Sequence, residues 1–399
     1  GSAIANVVTT GSFTIPLMKK IGYSKEFSGA VSSTASVGGQ LLPPIMGAAA
    51  FIMAETLGIK YKEIVVAAAI PALIYYLGII FQIHLRASKD KLDGMPKDQL
   101  PKVKETLKMY WHLTIPILFL VYMLFFSGYT VIKGAFLTIL LTIIIAQLKK
   151  ETRMSLKDIE AAFVASAKST VSVAIACACV GIVIGVSSLT GFTINMASAI
   201  ISLGGKSLLL TLVFTMVTCM LLGMGLPSIP AYIITVTIAA PALIELGIAP
   251  LAAHLFCFYF AMFANITPPV ALASFAAAGI SGGNPMKTGI VSIKLALAGF
   301  IIPYMFVYNN QLLLMNTNIL QGIQVALTAC VGVFLISAAV EGYFHTKVNI
   351  FIRLLMLAGA FLLIDSALLT DLAGVGIFVA SIFIQRILCL LYTSPSPRD

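Results

Sequence analysis

Two pairs of adjacent prolines are the residues of this sequence best suited to create a binding site. Pro43-Pro44 and Pro268-Pro269 each stand inside a long apolar segment, and each pair removes two backbone N–H donors. The carbonyls one turn earlier, near Gly38-Gly39-Gln40 and near Ala264-Asn265, are therefore predicted to lack partners. Such carbonyls, with amide and hydroxyl oxygens beside them, are hard ligands that suit a small cation such as Na⁺.

Helix ends at these breaks predict a second kind of chemistry. Each new helix N-terminus offers N–H groups and partial positive charge, which suit an anionic substrate. Ser2 and Asn6 near the start of the chain, and Ser228 after the interruption Gly223-Met224-Gly225-Leu226-Pro227, add further polar groups. We predict no cofactor and no transition metal, because Cys177-Ala-Cys179 has no second Cys/His pair.

The composition predicts that these breaks lie within a membrane. The 399 residues are 59% hydrophobic and only 10% charged, with a mean hydropathy of +1.03, whereas a soluble protein is about 25% charged. Apolar segments of about 18 or more residues recur, each long enough to cross ~30 Å of hydrocarbon. The predicted fold class is an all-α polytopic membrane protein, since a barrel would show short alternating segments instead.

The net charge of +10 is interpreted as a sign of orientation in the membrane. Basic residues collect in two loops, 86–108 and 149–158, which are separated by two apolar spans. The two loops therefore lie on one side, and basic loops predict that this side is cytoplasmic.

The two double-proline segments belong to an internal repeat. A shift of 225 residues places Pro16 on Pro241, Gly22 on Gly247, Pro43-Pro44 on Pro268-Pro269 and Gly58 on Gly283. Five predicted crossings separate the start of one segment from the start of the other, and an odd number inverts the orientation. The stretch before each segment must then form a re-entrant hairpin. Inverted repeats with broken helices are the construction of secondary transporters.

The motifs at the breaks resemble a known family, the large membrane subunits of tripartite ATP-independent periplasmic (TRAP) transporters. The resemblance runs from residue 1 to about 310 and is closest to the fused permeases of the TAXI subgroup. Its motifs are Ser2-Ala3-Ile4-Ala5-Asn6, Gly38-Gly39-Gln40 with Pro43-Pro44-Ile45-Met46-Gly47, Gly223-Met224-Gly225-Leu226-Pro227-Ser228, and Asn265-Ile266-Thr267-Pro268-Pro269.

The resemblance implies an elevator-type importer in a bacterial or archaeal inner membrane. It implies uptake of organic acids, often dicarboxylates, with Na⁺ as the coupling ion. Its implied partners are an extracytoplasmic solute-binding protein and a small membrane subunit fused upstream. The implied sodium ligands are Ser2, Asn6, Gly38, Gly39 and Gln40 in one set, and Gly225, Ser228, Asn265 and Thr267 in the other. The implied substrate-binding residues are Ser2, Ala3, Pro227 and Ser228.

The resemblance also implies a division of the chain into domains. The expected order is a first repeat at 1–85, scaffold helices at 86–205, a second repeat at 206–310 and extra helices at 311–390. The chain is expected to be an N-terminally truncated fragment, because half of the first hairpin would lie upstream of residue 1. The abrupt change in composition at 391–399 is interpreted as a non-native tail.

Three other functions stay open at this point. A stand-alone Na⁺/carboxylate symporter would share the architecture but would need no binding protein. A membrane-embedded enzyme would need a cluster of catalytic side chains at one depth. A channel fits matched re-entrant hairpins, although inverted pairs of hairpins fit alternating access better.

Overall fold

The computed structural model describes residues 2–96, 102–205, 207–315, 317–344, 346–363 and 368–393. Over these ranges the chain forms α-helices joined by turns and short 3-10 segments, without a β-strand. Six of the helices in the described part are long and apolar enough to cross a membrane. The predicted all-α polytopic membrane fold is therefore confirmed.

The first repeat consists of one hairpin arm, a broken helix and a long span. Its helices are α1 (Ala3–Thr9), α2 (Gly11–Ile21), α3 (Lys25–Leu41), α4 (Ala49–Leu57) and α5 (Tyr61–Lys89). Gly22 ends α2 in the left-handed conformation, and the Ser24 side chain then caps α3 by accepting the N–H of Phe27. The broken helix predicted at 27–57 is thus two helices separated by the double proline.

Five helices connect the two repeats: α6 (Val103–Tyr110), α7 (Thr114–Phe125), α8 (Val131–Ala146), α9 (Leu156–Leu189) and α10 (Phe192–Gly204). The 13 residues of α10 extend only about 20 Å. This agrees with the prediction that the apolar stretch 193–203 is too short to cross alone.

The second repeat follows the order of the first. Its helices are α11 (Leu208–Gly223), α12 (Ser228–Glu245), α13 (Pro250–Phe263), α14 (Leu272–Ser281) and α15 (Pro285–Tyr308). At the 225-residue shift, α12 falls on α1 and α2 together, α13 on α3, and α14 on α4. Met46 and Ala271, which also correspond, both have positive φ angles, of 56° and 37°. The local backbone therefore repeats even where the side chains differ.

The two broken helices pack against each other in opposite directions. Gly283, after the end of α14, lies beside the backbone of Glu26 at the start of α3. Further along, Ser33 of α3 lies 3.3 Å from Ser274 of α14, between their hydroxyl oxygens. The first half of one broken helix therefore runs antiparallel to the second half of the other, as an inverted repeat predicts.

Three more helices complete the described chain: α16 (Ile319–Glu341), α17 (Ile350–Leu362) and α18 (Leu368–Thr393). Helix α16 packs along α5, and Lys89 of α5 donates to the Glu341 carbonyl at 2.6 Å. Arg353 of α17 donates to the carbonyls of Ala339 and Val340. Cations therefore pair with the exposed carbonyls at the end of α16. Of the predicted non-native tail, residues 394–399 lie outside the described part.

An aromatic core fills the crossing of the broken helices. The Tyr75 ring of α5 occupies a slot between two glycines, Gly38 of α3 and Gly299 of α15. It stacks on Phe263, which in turn stacks on Phe300 with ring centroids 4.8 Å apart. At the repeat shift, Gly38 and Tyr75 correspond to Phe263 and Phe300, so the two halves fill equivalent positions with different volumes.

We expect Gly299→Ala to destabilise the protein, because the new methyl group would overlap the Tyr75 ring and lie 2.9 Å from Phe263. Overpacking of this kind costs roughly 1–3 kcal/mol. Thermal unfolding in detergent measures the change. Gly279→Ala on α14 is the control, since nothing lies within 4 Å of its added methyl. Equal stability of the two variants would contradict the tight slot.

Candidate cation sites at the two helix breaks

Break one, between Leu41 and Ala49, pairs most of the carbonyls that the sequence predicts to be free. The Gly38 carbonyl accepts the N–H of Leu42 at 3.0 Å, and the Gln40 carbonyl accepts that of Gly47 at 2.7 Å. The prediction of unpaired carbonyls at these two residues is therefore wrong. The Gly38 carbonyl is paired because its ordinary helical donor, Leu42, still precedes the prolines. The Gln40 carbonyl is paired because the chain turns back after the prolines and supplies the N–H of Gly47.

Break two, between Phe263 and Leu272, follows the same hydrogen-bonding pattern. The Asn265 carbonyl accepts the N–H of Ala273 at 2.9 Å, so the predicted free carbonyl at Asn265 is also wrong. The Thr267 carbonyl accepts from Ala271 at 3.2 Å, which reproduces the bond from Met46 to Leu42 at 3.2 Å in break one. The two breaks thus have similar backbone geometry, with the pairing N–H seven residues after Gln40 and eight residues after Asn265.

Two carbonyls in each break lack the ordinary helical donor, and those of Gln40 and Asn265 accept a later N–H instead. The other two belong to Gly39 and Ala264. The residue four positions after Gly39 is Pro43, and the residue four positions after Ala264 is Pro268. Because proline has no N–H, neither carbonyl has its helical donor. These two oxygens are the strongest backbone candidates for a cation ligand. Gly39 was predicted as a ligand, whereas Ala264 was named only as a neighbour of the break.

The tip of hairpin one lies against α3 just before break one. Asn6 of α1 donates its side-chain N–H to the Ser36 hydroxyl at 2.8 Å, and its Oδ1 accepts from the Thr10 hydroxyl at 3.0 Å. Ser2 caps α1 by accepting the N–H of Ala5 at 3.3 Å, and Ala3 is buried. The structure thus brings Asn6 next to break one, while the Ser2 side chain makes a local cap.

The tip of hairpin two lies against break two. Gly225 has a φ of 74°, and a methyl group added there would stand 3.6 Å from Val270. A methyl group added at Gly223 would likewise stand 3.3 Å from the Ala264 methyl. Pro227 precedes α12 and is exposed, and Ser228 opens α12 half-buried. The glycines therefore let the tip approach Ala264 and Val270 of break two closely.

The two polar side chains of break two make local bonds. The Asn265 side chain is buried and donates to the Met262 carbonyl at 3.3 Å. The Thr267 hydroxyl donates to the Phe263 carbonyl at 2.9 Å, which replaces the helical bond that ends there. Each side chain donates its hydrogen within the break, and its oxygen retains capacity to accept or to coordinate.

Three tyrosines that sequence reasoning missed support break one. The Tyr61 hydroxyl donates to the carbonyls of Pro44 and Ile45, at 2.9 and 2.8 Å. Tyr75 and Tyr76 of α5 donate to the carbonyls of Thr34 and Ala35, each at 2.8 Å. A buried tyrosine hydroxyl in an apolar span needs an acceptor, so these tyrosines were a usable signal.

Comparison with known proteins identifies this arrangement. Residues 1–319 match the family model described as the DctM component of tripartite ATP-independent periplasmic transporters. The chain belongs to this family. By that description DctM components are parts of a transporter rather than enzymes. With its apolar helices, the chain is a multi-pass membrane protein of this family. Helices α17 and α18, and nearly all of α16, lie beyond the matched residues.

A curated DctM relative is similar over a shorter segment. It is the C4-dicarboxylate TRAP transporter large permease protein DctM of Vibrio cholerae serotype O1 (strain ATCC 39315 / El Tor Inaba N16961). The two proteins are 32% identical over 108 residues, which is 27% of this chain and 23% of the relative. The matched segment thus spans less than a quarter of the relative.

We expect Tyr61→Phe to loosen break one, because it removes the hydroxyl that bonds the Pro44 and Ile45 carbonyls. A single lost bond costs about 1 kcal/mol, and thermal unfolding in detergent measures it. Tyr259→Phe is the matched control, since within the described chain the buried Tyr259 hydroxyl has no hydrogen-bond partner. A larger loss for Tyr259→Phe than for Tyr61→Phe would contradict this assignment.

Proposed function

We propose that this DctM chain is the permease of a Na⁺-coupled importer of organic acids that a solute-binding protein delivers. One observation supports this function above all: two helix breaks of similar geometry each lie against a hairpin tip. The substrate class is supported by the relative, whose name assigns it to C4-dicarboxylates. The proposed partners are the binding protein and a small membrane subunit.

Each proposed sodium site combines other oxygens with a backbone carbonyl whose helical N–H donor is replaced by a proline. In the first site, we propose the Gly39 carbonyl, the side chain of Asn6, which contacts α3 at Ser36, and groups of Ser2, Gly38 and Gln40. In the second site, the ligands come from Asn265, Thr267, Gly225 and Ser228, and we add the Ala264 carbonyl. Oxygen-only sets of this type are suited to a hard monovalent cation.

The anionic substrate is proposed to meet the N-terminus of α12. This helix has 18 residues, and Pro227 and Ser228 at its start belong to the tip of hairpin two. The N–H groups of its first turn have no intrahelical acceptors and carry partial positive charge. Helix α1 has only seven residues, so Ser2 and Ala3 are expected to contribute less.

An elevator movement is supported by the uneven burial of the helices. In the spans α5 and α15, 56% of the most apolar window is buried inside the described chain. In the span that contains α9, only 6% of the window is buried. We propose that the repeats at 1–85 and 206–310 move as one body against a scaffold at 86–205, with 311–390 as extra helices.

The test is uptake of labelled organic acids into proteoliposomes that contain the complete transporter with this chain. We expect uptake to need both Na⁺ and the binding protein. Asn6→Ala and Asn265→Ala should each raise the Na⁺ concentration for half-maximal uptake by about tenfold, because each removes one side-chain oxygen from a charged ion. Ser12→Ala is the control, because this exposed hydroxyl bonds only the Thr9 carbonyl.

Three outcomes would contradict parts of the proposal. Uptake that needs Na⁺ but no binding protein would assign the chain to the stand-alone symporters. Uptake indifferent to Na⁺ would remove the coupling ion. Unchanged sodium activation in both asparagine variants would refute the ligand assignment while leaving the transport function in place.

We expect a cysteine at position 94 to be protected from an impermeant thiol reagent added outside intact cells. Gly94→Cys lies in the basic loop 86–108, which the charge distribution predicts to be cytoplasmic. The position is exposed, with nothing within 4 Å of an added side chain. Labelling should appear only after the cells are permeabilised, relative to the parent with its native cysteines. Labelling in intact cells would reverse the orientation.

A further inference from the structure

Four consecutive residues of α3, just before break one, each bond to another helix. The Ser33 hydroxyl lies 2.9 Å from that of Ser292 on α15. The Thr34 and Ala35 carbonyls accept from the two tyrosines of α5, and the Ser36 hydroxyl accepts from Asn6 of α1. This segment, 33–36, connects break one to hairpin one, α5 and α15.

A buried triad of serines extends this connection to break two. Ser33, Ser274 and Ser292, on α3, α14 and α15, are completely buried. The Ser274 hydroxyl lies 2.9 Å from that of Ser292 and 3.3 Å from that of Ser33. It also lies 3.5 Å from the carbonyl of Ile266, which stands between Asn265 and Thr267 in break two. One hydroxyl therefore contacts both the α3 segment and the loop of break two.

The other half of the molecule fills the corresponding positions without hydroxyls. At the repeat shift, Ser33, Ser274 and Ser292 correspond to Phe258, Ala49 and Ala67, which are all buried. Apolar side chains thus suffice to pack the corresponding helices. Buried hydroxyls need hydrogen-bond partners, and Ser33 and Ser292 also donate to carbonyls of their own helices, at 3.0 and 2.8 Å. The contacts among the three hydroxyls add a geometry that apolar packing would leave adjustable.

The geometry points to the Ser33–Ser274–Ser292 triad as the element that couples the two proposed sodium sites. A cation that orders break two fixes the Ile266 carbonyl and, through Ser274, the segment of α3 that reaches break one eight residues after Ser33. Binding at either break then raises affinity at the other, because such coupling is reciprocal. The inference rests on the proposed function, and these serines are positioning residues that contact no ion.

The test uses a cysteine reporter in break one and a substitution in break two. Ile45→Cys places a thiol at an exposed position of break one, and Na⁺ should slow its reaction with a thiol reagent. In the purified full chain, Asn265→Ala should raise the Na⁺ concentration for half-protection of this cysteine by about fivefold, the low end of typical coupling. Adding Ser274→Ala should reduce that increase to less than about twofold. The chain without the new cysteine corrects for the native thiols.

Ser281→Ala is the matched control on the same helix. Ser281 is also completely buried, but its hydroxyl bonds only the Ala278 carbonyl and the Gly283 N–H. We expect the fivefold increase to persist in this background. Ser292→Ala removes the triad from α15 and should act as Ser274→Ala does, which keeps the test available if one variant is unstable.

The outcomes separate the inference from the function on which it rests. A full fivefold increase in both the Ser274→Ala and Ser292→Ala backgrounds would overturn the coupling role while leaving the sodium sites in place. An equal loss of coupling in Ser281→Ala would reduce the effect to general loosening of α14 and would also overturn it. No sodium protection of the cysteine in any background would overturn the sodium site itself.

Discussion

The structure depends on one constraint: a backbone carbonyl inside a membrane must find a partner. Each double proline removes two N–H donors in the middle of a crossing segment, where water cannot replace them. In this protein the N–H groups of Gly47 and Ala273 pair two of the carbonyls that lose their helical donors. In break one the Tyr61 hydroxyl also bonds the carbonyls of the loop. The carbonyls of Gly39 and Ala264, whose helical donors the prolines remove, are the ones that we propose as cation ligands.

This constraint also explains why the broken helices lie at the centre of the fold. Irregular backbone is tolerated at membrane depth only when protein surrounds it. The antiparallel packing of α3 with α14 places both breaks beside α5, α13 and α15, with Met46 and Gly47 of break one and Asn265 and Ile266 of break two buried. Close approach then requires small residues at the contacts, which is why Gly38 and Gly299 flank Tyr75 while Gly223 meets Ala264. The two halves repeat a backbone, and their side chains divide the available volume differently.

Much of this arrangement was predictable because proline and glycine act locally. The double prolines predicted where helices break, and the 225-residue shift predicted that α12, α13 and α14 would repeat the first four helices. The free carbonyls at Gln40 and Asn265 were predicted wrongly, because a missing donor at i+4 does not reveal a donor at i+7 or i+8. The Gly38 carbonyl was also predicted wrongly, because its donor at i+4 is Leu42 and not a proline. The tyrosines and the serine triad were missed, since their partners are distant in sequence.

The sequence by itself determined the membrane class, the inverted pair of broken helices and the motifs of the DctM family. These follow from composition and from residues that restrict their own backbone. Only the tertiary structure decided which oxygens are engaged and which helices the hydroxyls connect. Hydrogen-bond partners such as Ser33 and Ser292, 259 positions apart, are chosen by the packing of helices, and that packing is a property of the whole core rather than of any local pattern.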